Sequence, residues 1–507
     1  MDTRAARAVE FGTAESRWIL LATVLGSSMA MFDGTVVNVA LPALGTDLGA
    51  DLAGLQWVLN GYLVSLAAFI LLGGALGDRY GRRRVFIVGV VWFTVASVLC
   101  AIAPTVEVLI AARVLQGIGA ALLTPGSLAI LQSCYVPQDR AKAIGAWAGL
   151  GGIAGAIGPF LGGYLVGAVS WRAIFWLNVP LAAAVVLVAQ RHVPESRDQS
   201  AGGPLDLMGA VTTALGLAGV TFALIGAGDA GLSLPEALAG AAGVVALGTF
   251  LVLERRVRNP ILPPGIFSER QFTAANVVTL AMYAAIGVVF FLLIVQLQTS
   301  LGYSPLEAGA ATLPVTLLLL ALSTPAGGLS TRIGPRLPMT LGPLMAAGGL
   351  LMLAQIAPGS SYLEGVAPGV TVFGLGLSLM VAPLTATVLA AAPGGHAGVA
   401  SGINNAVARV AGLLAVAALP PLVGLSGADY TDATAFTAGY GAAMRIAAGL
   451  AAVAGLIAWA TIRRPLVLDE HSPEQQTPVG PGPGPGPGPG PSQAPGHGTV
   501  EAPPLRP

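Results

Sequence analysis

The chain has 507 residues, of which 55% are hydrophobic and only 9% are charged, with 24 Lys and Arg against 24 Asp and Glu. A soluble domain carries charge on about a quarter of its residues, so this chain lacks the polar side chains that a water-facing surface requires. Composition therefore excludes a soluble protein and indicates an all-α integral membrane protein.

Apolar runs of about 20 residues, separated by charges or turn residues, predict fourteen membrane-spanning helices. The first run is too long for the apolar core of a signal peptide, and no small-residue cleavage site follows it, so we take it as a span. In chain order the predicted spans are 18–40, 55–77, 85–103, 107–131, 143–166, 172–190, 206–226, 235–253, 273–297, 308–329, 337–357, 363–391, 398–424 and 438–461.

The basic residues give an independent test of this count, because cytoplasmic loops of membrane proteins are enriched in Lys and Arg. With the N-terminus inside, 20 of the 24 basic residues fall in predicted cytoplasmic segments. Arg172 falls outside, and Arg113, Arg409 and Arg445 fall within spans. The alternation persists to the end of the last span, so both termini are expected in the cytoplasm.

Two predicted cytoplasmic loops share one pattern. GALGDRYGRRR (74–84) after the second span and GGLSTRIGPR (327–336) after the tenth both fit G-x-L-x-x-R-x-G-x-R. A duplicated six-span unit, with two further spans between its copies, produces this spacing. Secondary transporters are built from such repeats, with the substrate site near the midplane between them. The alternative is two unrelated tight turns.

This duplication divides the chain into five predicted parts. The segment GPGPGPGPGPGP (480–491) repeats with period two rather than the period three of collagen, which predicts a disordered tail. The parts are a cytoplasmic N-terminus (1–17), an N-terminal six-helix bundle (18–200), two inserted helices (201–262), a C-terminal six-helix bundle (263–465) and a Pro/Gly-rich cytoplasmic tail (466–507).

Five motifs carry a resemblance to a known family. They are FDGTVVNVALP (32–42), GALGDRYGRRR (74–84), LIAARVLQGIGAA (109–121), IGPFLGG (157–163) and WRAIFWLNVP (171–180). In these motifs the chain resembles the major facilitator superfamily, specifically its fourteen-span drug:proton antiporters, over about residues 15–465. The resemblance implies two six-helix bundles with two inserted linker helices. One position departs from it, since Ala154 stands where the fifth-span motif usually has glycine.

Asp33 is the one acid well within a predicted span. Removal from water disfavours the charged form of a carboxylate, so such a group can take up a proton from one side and release it to the other. Arg113 in the fourth span must face a partner or a wet cavity, and the resemblance implies that it lies near Asp33. We therefore predict a proton-coupling pair; the alternatives are a structural acid and a static buried pair.

Polar residues within the spans are candidates for the substrate cavity. Gln116 lies one turn from Arg113 and could orient that arginine instead of contacting substrate. The predicted cavity residues are Asn38, Gln56, Tyr62, Gln116, Tyr283, Gln296, Asn404, Asn405 and Arg409.

Two further groups of residues are predicted to control access. In the first loop, Asp78 could cap a helix of the opposite half and act as a cytoplasmic latch, whereas Thr331 in the second copy carries no charge. The glycines and proline of the fifth span predict a hinge or seal between the halves, or plain close packing. The predicted gating residues are Gly74, Asp78, Arg79, Gly81, Arg82, Gly145, Gly158, Pro159, Gly162 and Gly163.

No P-loop accompanies the spans, so energy is expected from an ion gradient. We predict a proton-coupled exporter of small amphiphilic drugs or antibiotics in the cell membrane, not an enzyme, with no cofactor, metal site or nucleic-acid partner. Its partners are the substrate, protons and the lipid bilayer. A single intramembrane carboxylate favours monovalent cations, neutral or zwitterionic substrates over dications. The alternative on the same fold is a proton-coupled uptake symporter.

Overall fold

The structure, a computed structural model, describes residues 8–136, 138–197, 205–227, 231–257, 260, 262–392, 397–426 and 432–462. Within these ranges the chain is helical, with one isolated bridge between Val9 and Tyr135 and no strand. The all-α prediction is confirmed. The predicted tail at 466–507 and the side chain of Ala154 lie outside the described residues.

Sixteen α-helices are described. The first seven are α1 (Ala14–Leu48), α2 (Leu52–Tyr80), α3 (Arg82–Ala101), α4 (Val106–Cys134), α5 (Arg140–Ala168), α6 (Ala173–Trp176) and α7 (Asn178–His192). Two helices follow, α8 (Leu207–Gly226) and α9 (Leu234–Glu254). The last seven are α10 (Arg270–Thr299), α11 (Pro305–Ala311), α12 (Leu313–Ile333), α13 (Arg336–Leu353), α14 (Ala367–Ala390), α15 (Ala397–Leu422) and α16 (Ala433–Thr461).

In the described part of the chain, thirteen helical segments are long and apolar enough to cross a membrane. Two of them are interrupted helices, α6 with α7 and α11 with α12. The thirteen do not include α5, because the stretch of this helix that the structure describes without gaps, Ile157–Ala168, is too short to be counted. The predicted total of fourteen spans stays a prediction.

Local sequence determines where the helices end, and α1 extends beyond its predicted span for this reason. The hydroxyl of Thr13 accepts the N–H of Ser16 and caps the start of α1, while Gly49 ends it with a φ of 63°. The break between α6 and α7 is held by Asn178, whose side chain donates to the hydroxyl of Ser97 at 2.8 Å. Pro180 lies in the first turn of α7, where its missing N–H has no helical partner to lose.

Helices α1–α7 and α10–α16 form two halves that meet along two lines. Along one line α2 contacts α15, and along the other α5 contacts α11 and α12; α1 also contacts α10. We call the end of the molecule at which α1 begins the proximal end, and the end at which α1 gives way to α2 the distal end. The predicted loop 74–84 follows α2 and lies at the proximal end, and the loop 327–336 lies at the same end when α5 is counted as a crossing.

The two helices between the halves form a hairpin that lies over one of these lines. Helix α8 contacts α2, α15 and α9, whereas α9 packs against α8. Leu217 of α8 is buried in a small apolar cluster with Val64 and Ala67 of α2 and Leu413 of α15. The hairpin therefore contacts both halves.

The segment before α1 is attached to the proximal end. The N–H of Val9 donates to the carbonyl of Cys134 at 2.8 Å, and the N–H of Phe11 donates to the carboxylate of Asp139 at 3.0 Å. Lys142 donates to the same carboxylate at 2.9 Å and, with the Phe11 N–H, holds the pKa of Asp139 below its usual value. The start of α1 is thereby tied to the turn between α4 and α5.

Candidate functional site

Asp33, Arg113 and Gln116 form a buried polar cluster between α1 and α4, hereafter the Asp33 cluster. Asp33 is 3% exposed and Arg113 is 1% exposed. Arg113 Nη1 lies 2.5 Å from Asp33 Oδ2, and Gln116 Nε2 donates to Asp33 Oδ1 at 2.9 Å. Gln116 Oε1 accepts from Arg113 Nη1 at 2.7 Å, which closes a ring of three side chains.

Helix α4 is positioned for these contacts by its sequence. Arg113 and Gln116 are three residues apart and share one helix face. Gly117 lets α4 approach α2 closely, since a Cβ there would overlap Ser65 and the backbone of Tyr62. The same approach places the guanidinium of Arg113 4.4 Å from the centre of the Tyr62 ring, a cation–π contact, and lets its Nε donate to the carbonyl of Val58 at 3.1 Å.

A cavity of about 270 Å³ lies between the two halves beside the Asp33 cluster. Its wall is largely apolar, with both halves contributing. Four of the predicted cavity residues line it, Asn38 and Tyr62 from the first half and Tyr283 and Arg409 from the second. Arg113 and Pro159, predicted for other roles, line it as well.

The other predicted cavity residues lie elsewhere. Gln56 donates to the carbonyl of Val416 at 2.6 Å and so joins α2 to α15. Gln296 is fully buried and donates to Thr437 at 3.0 Å, within the second half. Gln116 belongs to the Asp33 cluster. In each case the side-chain amide donates a hydrogen bond to a neighbouring helix, as burial of a polar group requires.

Asn404 and Asn405 also lie outside the cavity lining. The Asn404 amide donates to Asn276 at 3.1 Å and to Thr279 at 2.7 Å, which connects α15 to α10. Asn405 is partly buried. The prediction that these asparagines face the cavity does not describe this conformation.

The fifth-span motif divides between two neighbours. On one face of α5, a Cβ on Gly158 would overlap Thr35, and one on Gly162 would lie 2.7 Å from Val36, so both glycines let α5 approach α1. On the other face, a Cβ on Gly163 would overlap the backbone of Pro305 in α11. The carbonyl of Pro159 similarly approaches Gly309 of α11. The motif is thus at a close crossing of the two halves, whereas Gly145 has no such neighbour within 4 Å.

The predicted latch is engaged within its own half. Asp78 forms an ion pair with Arg82, four residues along, at 2.8 Å. In this conformation it therefore does not cap a helix of the opposite half as predicted. Arg79 lies 5.4 Å from the ring of Tyr80, and Gly74 makes an ordinary contact with Pro125.

Glu195 caps the start of α3, a role that the sequence analysis did not predict. Its carboxylate accepts the backbone N–H of Arg83 at 3.1 Å and of Arg84 at 3.2 Å, where a helix N-terminus favours negative charge. Gly81, with a φ of 113°, leaves room for it, since a Cβ there would lie 2.7 Å from Glu195 Oε1. No signal in the sequence singles out Glu195, since Asp198 lies in the same predicted loop.

The distal end is closed by contacts between the halves. Gln298 donates to the carbonyl of Val39 at 3.0 Å, which joins α10 to α1. The Gln56–Val416 hydrogen bond and the α5–α11 crossing lie at the same end of the molecule. No group of three His, Cys, Asp or Glu suited to holding a metal ion occurs in the described ranges.

Two helical halves around a central cavity are the architecture of a membrane transporter. A model of the Major Facilitator Superfamily matches residues 23–416, and the chain belongs to this superfamily. The predicted resemblance is thereby confirmed at the level of the superfamily.

Curated relatives and solved structures agree with this assignment. The chain is 33% identical to the puromycin resistance protein pur8 of Streptomyces alboniger, over 92% of this chain and 95% of that protein. It is 34% identical to the tetracenomycin C resistance and export protein of Streptomyces glaucescens, over 80% and 75%. Drug efflux pump JefA of Mycobacterium tuberculosis is 33% identical, over 81% of each chain.

Among solved structures, a peptide transporter POT in complex with sulfate has the same fold. Its TM-score is 0.64 at 16% identity, over 90% of this chain and 96% of that chain. A D-xylose-proton symporter matches with a TM-score of 0.59 at 17% identity, over 88% and 98%. These similarities describe the fold alone.

Proposed function

We propose that this protein is a proton-coupled exporter of small amphiphilic drugs or antibiotics that works by alternating access. The observation that carries the proposal is the buried Asp33–Arg113 pair at the wall of a cavity between the two halves. Relatives that are named for drug resistance, export and efflux, and that this chain matches over most of their length, support the direction of transport.

The Asp33 cluster supplies a site that a proton can occupy. When Asp33 is ionised, Arg113 neutralises its charge, and Arg113 and Gln116 each donate a hydrogen bond to one of its oxygens. Protonation removes the charge that Arg113 faces, so the arginine must find another partner or move, because an unpaired buried charge is unfavourable. Proton binding therefore changes the relative stability of the conformations, which is what coupling requires.

The closed distal end supports a cycle in which the two ends open in turn. In this conformation the cavity is separated from the distal side by the contacts of α1 with α10, α2 with α15 and α5 with α11. Substrate enters from the proximal side, which is the cytoplasm, and leaves at the distal side once these contacts separate. The Asp78–Arg82 pair at the proximal end would be rearranged in that step, and Asp78 would then be available to the opposite half.

The topology belongs to the same proposal. Helix α5 is a further span and brings the total to fourteen, since it is 29 residues long and packs between α1 and the second half. The first six spans and the last six form the two bundles, and α8 with α9 are the inserted linker pair. Both termini then lie in the cytoplasm, consistent with the distribution of Lys and Arg.

A transport assay in liposomes tests this proposal. Purified protein is reconstituted with an imposed pH gradient, and uptake of cationic and neutral fluorescent drugs is compared with protein-free vesicles. The matched control for Asp33→Asn is Asp47→Asn, since Asp47 is a half-exposed acid of the same helix, paired with Arg172 at the distal end.

An antiporter accumulates drug in vesicles whose lumen is acidic, and we expect this of the native protein and Asp47→Asn. Asp33→Asn should lose the gradient-driven component while retaining slow equilibration. Accumulation only with an alkaline lumen would instead establish the uptake symporter. Equal gradient-driven transport by Asp33→Asn would remove Asp33 from the coupling step.

A further inference from the structure

Arg409 presents a positive charge to the cavity that no described acid balances. It lies on α15 and lines the cavity together with Tyr62 and Tyr283. In the described part of the chain it forms no ion pair with a carboxylate, and its Nε is buried without a hydrogen-bond partner. A guanidinium has five N–H donors and no means of losing its charge at ordinary pH.

The second arginine at the cavity wall is in a different position. Arg113 is bound by Asp33 and Gln116 and stacks on Tyr62. With Asp33 ionised, that cluster is neutral overall, and the described residues that line the cavity include no acid. These described residues therefore bring one net positive charge to the cavity, and it comes from the second half.

An unbalanced charge in an apolar cavity is unfavourable unless a ligand of opposite charge compensates it. The planar fork of a guanidinium fits the two oxygens of a carboxylate, which it binds through two parallel hydrogen bonds. The lining of the same cavity includes Ile286, Phe290 and Ile294, which suit an apolar or aromatic body.

We propose that Arg409 is an anion-binding group of the substrate cavity, and that the substrates include aromatic molecules bearing a carboxylate. This rests on the proposed function for the act of transport, but binding itself does not. It extends the prediction from the single carboxylate of the spans, which favoured monovalent cations, neutral or zwitterionic substrates over dications. The reason is that Arg409, not Asp33, is the unpaired charge that faces the cavity.

A set of probes with one aromatic body and different charges tests the proposal. Binding of 2-naphthylacetate, the neutral 2-naphthylacetamide and the cationic 2-(2-naphthyl)ethylamine is measured by calorimetry on the full chain in lipid nanodiscs. We expect the native protein to bind the carboxylate about tenfold more tightly than the amide, because a charge-assisted pair adds at least 1.4 kcal/mol.

The variants separate the charge of Arg409 from its structural effects. Arg409→Gln should abolish the preference for the carboxylate over the amide, and Arg409→Lys should retain part of it. Arg445→Gln is the matched control, since Arg445 is an exposed arginine on α16 outside the cavity lining. It should bind all three probes as the native protein does.

Three results would overturn the proposal. One is equal binding of carboxylate and amide by the native protein, and another is a preference that survives in Arg409→Gln. The third is no measurable binding of the carboxylate at millimolar concentration. Since no proton gradient is present, these results are independent of the transport assay. Proton-driven export of neutral drugs could stand without the anion site, and the anion site could stand if transport were not proton-driven.

Discussion

Asp33 accepts hydrogen bonds on both carboxylate oxygens from neighbouring side chains of α4, and this arrangement fixes which form of the acid the fold stabilises. Arg113 contributes charge, whereas Gln116 contributes a neutral donor at 2.9 Å. The two are separable by substitution, since Gln116 can be removed without leaving an unpaired charge. Removing Arg113 would leave the buried carboxylate without its counter-charge.

Replacing Gln116 by Leu tests this separation. The Asp33 carboxylate loses one hydrogen bond, of about 1.5–3 kcal/mol for a charged acceptor, and Arg113 loses the Gln116 side-chain carbonyl as an acceptor. We expect gradient-driven transport, measured from initial rates in liposomes, to fall by at least about tenfold. Gln296→Leu, which changes another buried glutamine bonded within the second half, should transport at the native rate. A native rate in Gln116→Leu would contradict a role for this hydrogen bond.

Sequence reasoning was effective at this scale where a charge was isolated. Asp33 and Arg113 were predicted from their positions inside apolar runs and from the resemblance, and the structure brings them into contact. Gln56, Gln296 and Asn404 could not be assigned in the same way. The helices that carry them are apolar on most sides, so periodicity does not reveal which face an amide occupies.

The crossing of α5 and α11 is the element whose packing depends most on small residues. Gly309 of α11 meets the carbonyl of Pro159, and Gly163 of α5 meets the backbone of Pro305. Helix α11 begins with a capping box, in which Ser304 and Glu307 each bond the other's backbone N–H. The N-terminus of this short helix is therefore well defined. The IGPFLGG motif predicted close packing or a seal, but the identity of the partner helix came from the structure.

Gly309→Ala should force this crossing apart. Alanine favours a helix over glycine by about 1 kcal/mol, so any loss cannot come from helix propensity. Overpacking of a tight contact is unfavourable by about 1–3 kcal/mol, and we expect the distal-open state to gain at least about fivefold in population. The measurement is labelling of Asn38→Cys, at the cavity wall, by a membrane-impermeant maleimide added to cells.

Gly145→Ala is the control for this experiment, because a Cβ there contacts nothing within 4 Å. It should leave the labelling rate of Asn38→Cys and the transport rate as they are in the parent protein. Faster labelling in both variants, or in neither, would mean that the α5–α11 crossing is not what closes the distal end.

For the whole molecule, the orientation of the second half depends on whether α5 crosses the membrane. If it does, the loop after α12 lies on the same side as the N-terminus; if it does not, every later segment is inverted. Ser233, before α9, and Thr331, near the end of α12, are both exposed and lie at opposite ends. The two native cysteines are free and buried. Maleimide labelling of an introduced cysteine can therefore be measured above a low background from the native ones.

We expect an impermeant maleimide to label Ser233→Cys in intact cells, and to label Thr331→Cys only after the membrane is opened. The reason is that Ser233 follows seven crossings and Thr331 follows ten when α5 is counted. The reverse pattern would mean that α5 does not span. Western blotting of each variant for equal expression controls for loss of protein.

Much of this architecture was accessible from sequence, because apolar runs and the alternation of basic loops are strong signals. The position of the α8–α9 hairpin against the two halves could not be predicted from the sequence. Both of its helices are apolar along most of their length, with Leu234, Val244, Val245 and Leu251 exposed in the structure. Such helices could equally have faced lipid on any side of the molecule. Only the contacts of Leu217 and its neighbours identify the line between the halves, α2 with α15, that α8 covers.

That hairpin makes the two lines between the halves unequal for a molecule dissolved in the lipid. On the α2–α15 side, α8 contacts both helices of the line and α9 packs on α8, so the hairpin lies between that line and the bilayer. On the α5–α12 side, the contacts among the described helices place no such pair over the line. Bilayer lipid can therefore contact the α5–α12 line directly, whereas at the α2–α15 line it meets the hairpin.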